Sequence, residues 1–258
     1  MPRLLVGGLI REIDVIVLDK DGTLIDFEVA WRHRLARSIR AVADAVKLGD
    51  ERLVAALHRA LGSECENGAI LADGPFASAT LADKAVMVAT VLYQYGISWH
   101  RAQFIAGSRF LGIMTEPPDA RDIRGIGDVP VRLRQLKASG ARIAVATNDD
   151  RNATTVALSH LGVVDLVDLL VCAGDDGIAA KPAPDGLLHI ARSFGVSPRR
   201  LAMVGDAASD LMAAGAAGTG LKVGVLSGPA RIDQLQDLAD VVVPDIHSLK
   251  MRCRSRKQ

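Results

Sequence analysis

The chain has few cysteines, few aromatic side chains and almost no net charge. Its 258 residues hold three cysteines, 3% aromatics and a formal net charge of +1. Cys65, Cys172 and Cys253 are odd in number, far apart and without any CxxC pairing. That pattern indicates neither a disulfide framework nor a zinc site, and reduced thiols are the simplest account. A balanced charge gives no whole-chain argument for nucleic acid or an anionic membrane. No apolar run approaches the ~20 residues of a membrane span, and the opening MPRLLVGGLIREID lacks the successive charged, apolar and small-residue regions of a secretion signal. These absences predict a soluble, cytoplasmic protein that binds neither nucleic acid nor membrane, and they leave monomer or homodimer open. The basic stretch MRCRSRKQ at 251–258 reads as a frayed, solvated end.

What is present is 49% hydrophobic residues, enough at this length for a sizeable core. Four short runs, VIVLD, RIAVATN, LAMVGD and GLKVGV, are rich in β-branched residues and bounded by Gly, Asp or Asn, as strands of a parallel sheet covered on both faces are. DLLVCAG and DVVVP supply two more. Helical patterns at Arg151 to Leu161, Asp185 to Phe194 and Ser209 to Ala217 alternate with these runs. The alternation predicts right-handed βαβ units and an α/β fold built on a doubly wound parallel sheet.

Between the first strand and the second lie about a hundred residues with helical periodicity and almost no strand-like alternation. Candidate helices are Glu28 to Val46, Glu51 to Leu61, Thr80 to Tyr95 and Trp99 to Leu111. An inserted helical domain is the economical reading, with residues 1–26 and 125–258 as the α/β core and 27–124 as the insert. TEPPDARDIRGIGD forms its exit, and Val129 to Ser139 is the first helix back in the core. Residues 62–78 form a long irregular stretch within the insert, of the kind that is usually functional or disordered.

In an open α/β sheet, ligands bind outside the carboxyl ends of the strands, so the residues ending each run should converge. They are Asp19 and Asp21 in DKDGTL, Thr147 and Asn148 in ATND, Lys181 in AAKPAPD, and Asp206 and Asp210 in GDAASD. Taken singly, each has a bland reading, since a strand-end Asp or Thr is often a helix cap or turn residue. Two carboxylates closing a buried strand do need a cation, and carboxylates crowded with a phosphate site suit a hard divalent ion such as Mg²⁺.

These four motifs, in this order, resemble the haloacid dehalogenase superfamily. Within it the layout is similar to subfamily I, with a type 1 helical cap, and to the phosphoglycolate phosphatase-like hydrolases. The resemblance covers about Ile13 to Leu24 and Asp128 to Val243. It implies a Rossmann-like core with an α-helical cap, and a Mg²⁺-dependent phosphatase acting on a small phosphorylated metabolite, phosphoglycolate-like or a sugar phosphate, through an aspartyl-phosphate. By the same resemblance Asp19 is the nucleophile and Asp21 the general acid and base. Thr147, Asn148 and Lys181 bind the phosphoryl group, helped by the following helix N-terminus. Asp19, Asp21, Asp206 and Asp210 form the metal site, with the metal as the cation that lets the first strand end in two carboxylates.

Two alternatives stay open. A phosphomutase of the same fold, similar to β-phosphoglucomutase, would share the core motifs and return the phosphoryl group to a sugar. A non-catalytic phosphate-binding regulatory module would be expected to have lost a chemical residue, and all are intact. Arg32, Arg34, Lys84 and Arg109 in the insert are candidate substrate contacts that read equally as solvated helix charges. His33 could face the site, and Trp31 and Trp99 read as anchors of the insert's core. Asp149, Asp175 and Asp176 read as loop carboxylates.

Overall fold

The computed structural model describes residues 2–46, 51–72 and 74–252. Cys253 and the rest of the basic stretch after Arg252 lie outside them. The chain forms two compact units, one of residues up to Asp26 together with Asp119 onward, the other Phe27–Pro118.

Among the described residues the first unit carries nine strands: β1 Arg3–Val6, β2 Leu9–Glu12, β3 Val15–Leu18, β4 Arg142–Thr147, β5 Leu169–Cys172, β6 Leu201–Gly205, β7 Leu221–Val225, β8 Val241–Val243 and β9 Lys250–Arg252. Six of them form a parallel sheet in the order β5-β4-β3-β6-β7-β8. Every apolar run identified as a strand is therefore in this sheet. β3 is central, and all four of its residues are fully buried, which explains why VIVL carries no polar alternation. Val15 and Val17 face one side, where they pack with Leu187, Ile190, Ala213 and Ala214 of helices Asp185–Phe194 and Ala208–Ala217. The small residues of the second helix let it lie close to the sheet. Chain order reverses direction across β3, so the carboxyl ends of β3, β4 and β6 meet at a topological switch point.

A second sheet, ordered β2-β1-β9 and antiparallel, is absent from the sequence reading. β1 and β2 are joined through Gly7 and Gly8, both at positive φ (51° and 83°), the backbone that a two-residue hairpin turn requires. Met251 and Arg252 belong to β9, which corrects the reading of that stretch as frayed from its start. The pairing of Leu4 with Met251 spans nearly the whole chain, so no local pattern announces it.

The second unit is helical, with helices Phe27–Val46, Glu51–Leu61, Leu81–Gln94 and Trp99–Ile105 around Leu35, Ile39, Val42, Leu53, Leu57, Val88, Leu92 and Phe110. The sequence predicts one helix to Leu111. Instead Ala106–Leu111 is a π-helical segment, which keeps Ile105 and Phe110 buried at a spacing of five, a local widening typical of such segments. The described residues of the irregular stretch include a Ser63–Ile70 bridge and a short helix, Pro75–Ser78. Arg34 is buried and donates to the carbonyls of Met114 and Glu116. His33 is exposed, and Trp99 is exposed against Tyr93, whereas Trp31 packs edge-on to Phe76.

Residues 119–124, assigned with the insert by sequence, cluster with the first unit. There the Asp26 N–H donates to the Arg124 carbonyl at 2.8 Å.

Candidate active site

β3 ends where its backbone must turn. Asp19 still pairs in the sheet, its N–H donating to Val204, and the Lys20 carbonyl then accepts from Leu24 and Ile25. Gly22 sits at φ +81°, and a Cβ there would stand 2.3 Å from Asp206 Oδ2, so both conformation and space demand glycine. Ser227, from the loop after β7, donates to the Gly22 carbonyl at 2.7 Å and fixes the turn.

Asp19, Asp206 and Asp210 each offer a carboxylate oxygen, and these oxygens lie within 4.8 Å of one another. All three residues are buried. Asp210, in the first turn of its helix, accepts the Ala207 N–H, while Thr23 donates to Asp206 Oδ1 at 3.2 Å. Lys181 Nζ contacts Asp19 Oδ1 at 2.5 Å, Asp210 Oδ1 at 2.6 Å and the Ala146 carbonyl at 2.8 Å. Burial pushes Asp19 up to about 6 against the pull of Lys181. Burial, then Asp19 and Asp210, raise Asp206 well above the usual carboxylate range. Burial alone would lower the Lys181 ammonium, but Asp19 and Asp210 outweigh it and its pKa rises. Three buried carboxylates against one ammonium are a donor set short of positive charge, which fits a hard divalent cation with oxygen ligands.

Asp21 stands apart from this cluster. Its two oxygens lie 2.7 and 2.6 Å from Lys20 Nζ, and the same ammonium is 3.1 Å from Asp149 Oδ2. The sequence reading counts Asp21 among the metal-site residues and Asp149 as a loop carboxylate; in the structure both carboxylates meet Lys20. Lys181 thus pairs with Asp19 and Lys20 with Asp21.

Thr147 ends β4, buried, its Oγ1 accepting the Asp149 N–H at 3.1 Å. Asn148 braces the loop of Lys181 by a reciprocal pair, its Nδ2 donating to the Lys181 carbonyl and its Oδ1 accepting the Lys181 N–H. The helix that follows, Arg151–His160, is capped by Asp150, whose carboxylate accepts from Asn152 and Ala153. Those two donors are taken by the cap. Asp175 pairs with Arg151 and accepts the Cys172 N–H, a structural role.

The haloacid dehalogenase-like hydrolase family profile matches residues 13–218. The chain belongs to this family. Two curated family relatives, both phosphoglycolate phosphatases, show the likeness in part. That of Nitrosococcus oceani is 39% identical over 85 residues, covering 33% of this chain and 37% of that protein. That of Yersinia pseudotuberculosis is 31% identical over 138 residues, covering 50% and 58%. The chain thus spans less than two thirds of the length of either. The solved structure of a HAD family hydrolase from Deinococcus radiodurans R1, with bound phosphate and sodium, aligns with a TM-score of 0.60 at 20% identity over 92% of this chain and 93% of that one. At that identity the likeness shows the shared fold.

Proposed function

We propose that the protein is a Mg²⁺-dependent phosphomonoesterase that cleaves a small phosphorylated metabolite through an aspartyl-phosphate on Asp19. The observation that carries the reading is the Lys181 ammonium held on Asp19 and Asp210 within a pocket of three buried carboxylates. A carboxylate attacking phosphorus splits hydrolysis into two easier steps. Asp19, Asp206 and Asp210 would hold the metal, which when bound supplies charge neutralisation at the phosphoryl oxygens.

In the first step an Asp19 oxygen forms a bond to phosphorus, the ester P–O bond breaks, and Asp21 gives its proton to the departing alkoxide. In the second, Asp21 takes a proton from water as the water oxygen attacks phosphorus; the acyl-phosphate bond breaks and inorganic phosphate leaves. Lys181 fixes the Asp19 carboxylate and contributes a point charge beside the phosphoryl group. Thr147 offers it a hydroxyl proton. Asn148 acts through the Lys181 loop it braces.

The curated relatives favour 2-phosphoglycolate or a similar small ester as substrate. The test is phosphate release from 2-phosphoglycolate, hexose phosphates and nucleotides, with Mg²⁺ and with a chelator. Chelator-sensitive release from one or a few of these is expected. Folded protein releasing no phosphate from any of them in Mg²⁺ would overturn the reading.

A further inference from the structure

The geometry points to Lys20 as a positioning residue that aims Asp21 at the leaving group, an inference that rests on the phosphatase reading above. Lys20 lies between the two carboxylates of DKD, and its side chain is 5% exposed. Its backbone is fixed by the turn, because its carbonyl accepts from both Leu24 and Ile25. Its ammonium reaches both oxygens of Asp21, at 2.6 and 2.7 Å, and a third carboxylate oxygen on Asp149 at 3.1 Å. Asp149 is itself anchored, its N–H on Thr147 Oγ1 and its Oδ1 accepting the Asp150 N–H.

The ammonium therefore ties the Asp21 carboxylate to Asp149, in the loop that follows Thr147. A proton donor must lie within hydrogen-bond reach of the oxygen it protonates, and small displacements of such a group cost large factors in rate. An Asp side chain with two rotatable bonds has no such fixed aim by itself. Lys20 supplies it. A lysine serving only to balance buried charge would predict damage that ignores what the substrate's leaving group needs.

The distinguishing experiment compares kcat/KM for 4-nitrophenyl phosphate, whose leaving group needs no proton, with an alkyl phosphate, whose leaving group does. Lys20→Met and Lys20→Arg are each made in the parent and in Asp21→Asn, with folding checked by circular dichroism and melting. Lys20→Met is expected to lower the alkyl-ester value by about tenfold or more, a part of the roughly 10²–10⁴-fold available from the acid itself. The aryl ester should change far less, and in the Asp21→Asn background Lys20→Met should add little to the alkyl-ester loss, the non-additivity of residues acting through one another. Lys20→Arg keeps a buried cation but moves it, so it should fold and show the same selective loss; it carries the test if Lys20→Met does not fold. Equal losses on both esters, or full additivity with Asp21→Asn, would overturn the Lys20 inference alone. A parent inactive on both esters would overturn the phosphatase reading and this inference with it.

Discussion

A Cβ built on Gly228 would stand 1.9 Å from Asp206 Oδ2. Gly22 approaches the same carboxylate from the β3 turn, where a Cβ would come within 2.3 Å. Two glycine backbones thus wall Asp206 and set where its oxygens point. Gly228→Ala should push Asp206 away from Asp19 and Asp210 and raise the Mg²⁺ concentration for half-maximal phosphate release by about tenfold or more, the scale on which groups that orient ligands act. Calorimetric titration with Mg²⁺ should show the same weakening. An unchanged half-saturation would mean that Asp206 relaxes freely or does not hold the metal.

The same crowding predicts that metal stabilises the fold. Burial and mutual repulsion raise Asp19 and Asp206 above their ordinary range, so a bound divalent cation relieves a strain that the unfolded chain does not have. Mg²⁺ at a hundred times its dissociation constant should add about 2.7 kcal/mol, seen as a rise in melting temperature that a chelator reverses. Asp206→Asn should shrink that rise. Melting that ignores Mg²⁺ in the parent would count against a metal site here.

His58, in the helical unit, gives a pH dependence remote from the metal cluster. It is buried with its Nδ1 2.9 Å from Ser63 Oγ, and burial lowers its pKa below the usual 6.5. The unfolded chain therefore binds a proton at His58 more readily than the folded one, and stability from this residue is present above pH 6.5 and lost as pH falls through and below it. The stability difference between the parent and His58→Gln should shrink as pH falls from 7.5 to 5.5, and the His58 ring should titrate by NMR below 6.5. A His58 that titrates at 6.5 or above would remove the basis for this effect.

How much of this was legible in the sequence depends on how local each signal is. The six parallel strands are visible because strands buried on both faces are continuous apolar runs, and β3 and β6 show it most plainly. Asp19, Asp206, Asp210 and Lys181 are visible because each closes or follows such a run. Lys20 was in plain view in DKDGTL, yet its direction depends on a turn and on Asp149, more than a hundred residues away. Gly228 carries no side chain to read, and its importance lies in the oxygen it faces. The Gly7-Gly8 hairpin did have a local signal, but four-residue strands offer too little alternation to stand out, and their partner β9 is distant in sequence.

Replacing Asp19 and Asp21 separates the two chemical steps. Asp19→Asn removes the attacking carboxylate; turnover should fall by at least about 10³-fold, and no phosphoenzyme should form from any ester. Asp21→Asn leaves the nucleophile but takes away the group that protonates the leaving oxygen and later activates water, so steady turnover should slow by roughly 10²–10⁴-fold. With 4-nitrophenyl phosphate the first step needs no acid, while the second still needs the base. Asp21→Asn should then give a rapid burst of nitrophenol, stoichiometric with enzyme, followed by slow turnover, and acid-stable label on the protein when the ester carries radioactive phosphorus. Asp19→Asn should show neither burst nor label. A burst in Asp19→Asn would move the nucleophile elsewhere, and an Asp21→Asn variant with slow turnover but no burst would mean that Asp21 serves the first step even when the leaving group needs no proton.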